Sequence, residues 1–290
     1  MTTTDSLRPD AREALGAGPA HEAYLDLLKR CLTNLIYGDE ELMPANISGK
    51  LPHRWLVQLA RRRGVMLMRR RGVNRQKRAE GRDWSPIAHT MVGLHRLNNV
   101  QPCIETVLAD RIPGDLIETG VWRGGTTIFM RALLKVYGST DRTVWVADSF
   151  AGLPPPDAGK YPADQGSKFH EYEMLAVSLE QVQKNLDLYG LLDDQVRFLK
   201  GWFKDTLPAA PIERLAVMRL DGDMYESTMD ALVALYPKLS PGGFVIVDDY
   251  GSVPACREAV HDFRKEHGIE DEIGRTECGH GAYWRRSGRQ

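Results

Sequence analysis

The segments LDGDMYEST (220–228) and VDDY (247–250) crowd acidic side chains into two short stretches. Asp221 and Asp223 are two apart, so on an extended segment their carboxylates point to one side. Asp248 and Asp249 end the apolar run GFVIV, which reads as a neighbouring strand. Carboxylates gathered in this way repel one another unless something positive sits among them. Hard oxygen donors suit Mg²⁺, Mn²⁺ or Ca²⁺ rather than zinc. A Mg²⁺ held by three carboxylates keeps positions for a substrate's hydroxyls and lowers their pKa, and a nearby carboxylate can then take a proton. The alternative is that these are unrelated surface acids at the starts of loops.

Three further segments carry ligand-binding residue types. In ETGVWRGGTT (118–127), Gly120, Gly124 and Gly125 allow close approach to a ligand, with a helix starting at Thr126 or Thr127. The spacing is not the dinucleotide GxGxxG pattern. Glu118 stands where a phosphate loop would carry no acid, so the turn suits a cationic ligand such as a sulfonium amino acid; a plain strand-to-helix turn is the alternative. In DSFAGLPPPD (148–157), Asp148 is placed to accept the hydroxyls of a ribose. Ser149 can add a hydrogen bond and Phe150 an apolar face, or Asp148 can serve as a turn cap. The prolines that follow read as a stiff loop at the rim of a pocket. In GWFKDTLP (201–208), Gly201, Trp202 and Phe203 either flank an adenine or belong to the core.

These residues need a frame that brings them to one place. From residue 115 onward, strands alternate with helices. Strands are expected over 115–120, 143–150, 196–202, 215–223 and 243–250, with two short ones around IEDEIG and AYWRR. Helices are expected over 126–138, 178–190, 226–239 and 253–268. Continuous apolar runs such as VWVA and FVIV read as parallel strands buried on both faces. The alternation predicts an α/β doubly wound sheet, and ligands of such sheets bind beyond the carboxyl ends of the strands. Glu118, Asp148, Asp221, Asp223, Asp248 and Asp249 all fall at those ends.

Before this core, residues 23–38 and 51–70 read as helices, and 1–22 as a flexible tail. Organisation is thus expected as a tail (1–22), an N-terminal helical region (23–110) and a core (111–290). Between 61 and 78 the chain carries eight Arg and one Lys with no acid. A solvated helix face and loop is the plainer reading; a partner contact and nucleic acid are others, the last weakened by the lack of interleaved aromatics. The net charge of −1 gives no general pull toward nucleic acid or acidic membrane. The N-terminus has no apolar core of signal-peptide type, and no apolar run approaches the ~20 residues of a membrane span. Cys31, Cys103, Cys256 and Cys278 are widely spaced with no CxxC pair. Scattered thiols fit a cytoplasmic protein.

The segments YLDLLKRCLTNLIYGDEE, TMVGLHRLNN, PGDLIETGVWRGG, ADSFAGLPPPD, LLDDQVRFLKGWFKDTLP, RLDGDMYEST and PGGFVIVDDYG together resemble the macrocin O-methyltransferase (TylF-like) family, over nearly all of the chain from about residue 23. The resemblance implies a class I methyltransferase fold, Rossmann-like, with a mostly parallel seven-stranded sheet and an N-terminal helical extension. It implies S-adenosylmethionine and Mg²⁺, and transfer of a methyl group to a sugar hydroxyl of a glycosylated natural product in antibiotic biosynthesis. It makes Asp221, Asp248 and Asp249 the metal ligands and Asp223 the general base. Glu118, Thr119, Gly120, Asp148, Ser149 and Asp221 would lie beside the cofactor, and Thr90 and Met91 in the segment that closes over it. It also implies a homodimer or larger homo-oligomer, formed partly through the N-terminal region, and no nucleic-acid or membrane partner. The chain departs from the family pattern in its basic stretch around 61–80. A catechol-type enzyme, acting on an aromatic diol through a similar acidic site, is the nearest alternative.

Overall fold

Apolar strands need cover on both faces, and the chain supplies it with two layers of helices. The computed structural model describes residues 7–44, 59, 60, 62–66 and 68–288. In the core, β3 (Asp115–Thr119), α5 (Gly125–Val136), β4 (Val144–Asp148), α6 (Leu179–Leu188), β5 (Val196–Lys200), α7 (Phe203–Thr206), β6 (Leu215–Leu220), α8 (Tyr225–Leu235), β7 (Leu239–Val247), α9 (Pro254–Glu266), β8 (Gly274–Arg275) and β9 (Ala282–Arg285) follow one another. Their strands form one sheet in the order β5-β4-β3-β6-β7-β9-β8. Strands β3 to β7 run parallel, and β9 pairs antiparallel with both β7 and β8. The doubly wound, mostly parallel sheet read from the sequence is therefore present. Strand order reverses at β3, whose neighbours β4 and β6 lie on opposite sides, and the crevice above its end is where such folds bind ligands.

Alternation along the strands divides the core. Leu116, Val144, Val146, Val217, Phe244 and Ile246 face Ile128 and Phe129 of α5. Ile117, Ala147, Met218, Leu220, Val245 and Val247 face Leu232 of α8 and Phe263 of α9. Full burial of side chains of this size contributes about 1.5–3 kcal/mol each.

The N-terminal region differs most from expectation. α1 (Ala11–Ala14) and the first turn of α2 (Pro19–Leu32) fold where a tail was expected over 1–22, and the rest of α2 is the helix expected over 23–38, ending at Leu32. Arg8 pairs with Asp110 at 2.9 Å and Arg12 with Glu105 at 2.9 Å, which docks α1 on α4 (Gly93–Ala109). α4 itself is absent from the periodicity reading. Its Leu97, Val100, Ile104 and Val107 are all buried, at helical spacing, but polar residues on its other faces are buried too, so the contrast on which periodicity depends is low.

The helix expected over 51–70 is not what ends that segment. Residues 51–58 lie outside the described residues. Met68–Gly72 forms strand β2, antiparallel to β1 (Glu40–Pro44), with Glu41 opposite Arg71. Cross-strand charge pairing overrides the basic run's helical appearance. α3 (Arg75–Ala79) follows, and its Arg78 is buried rather than solvated, hydrogen-bonded to Glu41 at 2.9 Å and Asp83 at 3.1 Å.

Candidate active site

The carboxyl ends of the parallel strands and the loops beyond them enclose a cavity of about 420 Å³. Its acidic floor comes from the ends of β3, β4, β6 and β7. Its walls come from residues 81–96, the loop 149–178 and the start of α7.

Asp221, Asp223 and Asp249 each offer a carboxylate oxygen within 4.8 Å of the others. The pleat does not bring them together, because β6 ends at Leu220. The chain instead turns, with Asp223 in the left-handed region at φ 57°. Aspartate is among the few residues that adopt this conformation readily. Burial raises all three carboxyls above the ordinary range. Repulsion adds to this: Asp248 acts on Asp221, Asp221 and Asp248 push Asp223 up to about 7, and Asp223 and Asp221 act on Asp249. The Asp249 Oδ2 is buried without a hydrogen-bond partner. Three hard oxygen donors, mutually repelling and incompletely satisfied, fit a divalent cation.

The expected metal set was Asp221, Asp248 and Asp249. The structure gathers Asp221, Asp223 and Asp249 and turns Asp248 toward two guanidiniums, because Arg96 of α4 donates to its Oδ2 and Arg219 of β6 to its Oδ1.

Those two arginines are the site residues that sequence reasoning missed. Arg219 is 1% exposed within a strand whose six residues are all buried. Its Nη1 donates to Glu118 at 2.6 Å and its Nη2 to Asp221 at 3.0 Å as well as to Asp248. The signal was a lone charge in LAVMRL: a guanidinium there must have acidic partners. Arg96 had no such signal, since α4 was not recognised. Its Nε is fixed by the Val92 carbonyl at 2.7 Å.

On the side of the switch point, Thr90, Met91, Glu118, Gly120, Asp148, Ser149, Gly201, Trp202, Phe203 and Asp221 all line the cavity, as does the proline-loop residue Pro154. Thr119 does not; it is fully buried in β3 and only its neighbours reach the opening. Glu118 is not free to act as a bare anion, because Arg219 and the Thr127 hydroxyl hold its two oxygens. Burial nevertheless pushes its carboxyl up to about 7. Asp148 accepts the backbone N–H of Val121 at 2.8 Å and of Phe150 at 2.7 Å, so it does cap the surrounding turns. Its Oδ1 also takes a longer bond from the Ser149 hydroxyl at 3.4 Å.

Two glycines fix this geometry. Gly120 has φ 78°, and a Cβ there would overlap the Asp221 carbonyl oxygen. The group that approaches Gly120 closely is therefore the backbone of the acidic turn. A Cβ on Gly125 would lie 2.5 Å from the His89 carbonyl oxygen, which accepts the Gly125 N–H at 2.9 Å. That bond seats the segment carrying Thr90 and Met91 on the start of α5.

Residues 21–286 match the family model described as macrocin-O-methyltransferase (TylF). The chain is 54% identical over 267 residues to the 8-demethyl-8-(2,3-dimethoxy-alpha-L-rhamnosyl)-tetracenomycin-C 4'-O-methyltransferase of Streptomyces olivaceus, covering 92% of this chain and 93% of the relative. It is 51% identical over 269 residues to the mycinamicin III 3''-O-methyltransferase of Micromonospora griseorubida, covering 92% and 97%. Among solved structures, the O-methyltransferase NovP superposes with a TM-score of 0.79 at 46% identity, over 92% of this chain and 99% of that one.

Proposed function

The chain belongs to the macrocin-O-methyltransferase (TylF) family and is thus an S-adenosylmethionine-dependent O-methyltransferase, and from that premise we propose that its acceptor is a sugar hydroxyl on a glycosylated natural product of antibiotic biosynthesis, methylated with the help of Mg²⁺. The observation that carries the metal reading is the convergence of Asp221, Asp223 and Asp249, two of them expected ligands, at the floor of the cavity. The acceptor class rests on the relatives, which are named for rhamnosyl and mycinamicin substrates.

In this reading Asp221, Asp248 and Asp249 hold the dication and Asp223 is the base. Ligating carboxylates are commonly hydrogen-bonded from behind, as Asp248 is by Arg96 and Arg219. Asp223 makes no hydrogen bond or ion pair with a described residue, so its oxygens are open to an acceptor hydroxyl. When bound, the dication supplies positive charge that lowers the pKa of that hydroxyl. Asp223 then takes the proton as the hydroxyl oxygen attacks the sulfonium methyl and S-adenosylhomocysteine leaves. Glu118, Gly120, Asp148 and Ser149 border the cofactor beside the buried Thr119, Gly201, Trp202 and Phe203 flank its adenine, and Thr90 and Met91 close over it. Alignment of the two reactants supplies a large share of the acceleration.

The test pairs rhamnosyl and other deoxysugar glycosides with simple catechols as acceptors, with and without exhaustive chelation. Methylation of glycosides, lost on chelation and restored by Mg²⁺, is expected. Preference for catechols overturns the acceptor class, and activity without metal overturns the metal role. Asp223→Asn keeps a residue that tolerates the left-handed backbone and is expected to lose turnover by several orders of magnitude while binding S-adenosylhomocysteine normally. Full turnover in that variant removes Asp223 as the base. A homo-oligomer joined partly through the N-terminal region, acting in the cytoplasm, completes the proposal; no helix among the described residues is long and apolar enough to cross a membrane.

A further inference from the structure

The acidic turn is held from a distance. α8 begins at Tyr225, two residues after Asp223, and its N-cap position, Met224, offers no side-chain cap. The first N–H groups of a helix need acceptors. Here both come from Asp164, 2% exposed, in the loop 149–178: its Oδ1 accepts the Tyr225 N–H at 2.7 Å and its Oδ2 the Glu226 N–H at 3.0 Å. Beside it, Tyr161 packs on Tyr225 with ring centroids 5.8 Å apart. The same loop is tied at its far side, where the Trp122 indole N–H donates to the Met174 carbonyl at 2.9 Å. Between these two ties lies Phe169, and Leu153, Pro154 and Leu175 also face the cavity from this loop.

A carboxylate spending both oxygens on one helix start, 61 and 62 residues away in the chain, fixes the turn before that helix against the loop it comes from. We propose that Asp164 is a positioning residue for methyl transfer: it anchors the turn bearing Asp221 and Asp223 to the cavity-lining loop 149–178, so that the base and the acceptor's wall move as one unit. This rests on the reading of Asp223 as base. Asp164 touches no reacting atom. Its effect is on where Asp223 stands when the acceptor arrives, and a displacement of about 1 Å at such a position costs up to ~100-fold in rate.

The experiment compares Asp164→Ala, Asp164→Asn and Asp115→Ala in the full chain, well below each variant's Tm. Asp115 bonds Thr143 N and the Trp145 indole at the opposite end of the sheet, so its loss tests destabilisation without displacement of the turn. For Asp164→Ala, kcat is expected to fall roughly 10–100-fold. S-adenosylhomocysteine affinity by calorimetry should stay within about threefold, because most residues bordering the cofactor, Glu118, Gly120 and Asp148 among them, stand at the ends of β3 and β4. Asp164→Asn, which keeps one acceptor oxygen, should recover part of kcat, and Asp115→Ala should lower Tm while keeping kcat. The proposal is overturned if Asp164→Ala keeps native kcat, if its S-adenosylhomocysteine affinity falls in step with kcat, or if Asp115→Ala loses kcat equally. Asp223→Asn run alongside separates the two ideas: native turnover there removes the base, whatever Asp164 does.

Discussion

A guanidinium inside a fully buried strand must recover its lost hydration from its partners, and Arg219 does so from Glu118, Asp221 and Asp248. It is the fixed counter-charge for the acidic end of the sheet. Replacing it by Met would leave two buried carboxylates and the half-buried Asp221 without it, at a cost of about 3–5 kcal/mol. The expected outcome is a large drop in Tm, with Arg219→Lys intermediate, since an ammonium cannot reproduce the forked geometry. A Tm within a degree or two of native in Arg219→Met would show that the acids re-solvate or protonate freely. At this scale the acids were legible because LDGD and VDDY have no structural need for so many charges. What joins them was less legible. Asp221 and Asp223 meet through a left-handed turn and not through the pleat, and Asp248 answers to Arg96, 152 residues earlier in the chain. No local spacing encodes a pairing of that range.

Strands were readable as continuous apolar runs and helices where one face was apolar and the other wet, and elements without either signal were missed. Apart from the four-residue α7, which was not expected, the core strands and helices from β3 to α9 lie within a few residues of expectation, although strands expected to run through Asp223 and Tyr250 stop at Leu220 and Val247. Termination there frees the acids to turn inward. α4 escaped notice because its polar residues are buried, and β2 because a run of arginines has no strand-like alternation of its own; its pattern is set by the acids of β1 across the ladder. That pairing carries a pH dependence. Burial works against an ionised Glu41, but hydrogen bonds from Arg78 and Ser85 outweigh it and hold the carboxyl below its ordinary value. A depressed folded pKa contributes stability that is fully present above the unfolded value, about 4.5, and is lost as pH falls through the folded one. Amide protection of 40–43 and 68–72 is therefore expected to be high at neutral pH and to collapse in acid. Glu41→Gln should lower it already at neutral pH and flatten its response to acid. Unchanged neutral protection in that variant would remove Glu41 as the keystone of the ladder.

Across the whole molecule, the catalytic end is built by the sheet and walled in part by the N-terminal region, which also shows apolar side chains to solvent. Tyr37 is 73% exposed, Leu42 55% and Leu27 49%, all within 20 residues of chain. Large apolar side chains held in ordered structure at the surface suit self-association. Light scattering is expected to give at least twice the 32.6 kDa chain mass, and Leu27→Arg with Tyr37→Arg to shift it toward monomer. A native chain that runs as a monomer at micromolar concentration would sink the assembly. The fold of this region was the least legible part, since its order depends on contacts with α4 and on charge pairing between distant segments. The β1–β2 patch has a consequence for engineering. Asp39, Glu40, Glu41 and Asp83 are matched there by Arg70, Arg71, Arg75 and Arg78, four acids to four bases. The pairs cancel locally, but residues 39–83 as a whole hold five acids and twelve bases, so a graft of this segment between relatives would carry a net positive charge up to Trp84, at the mouth of the cavity.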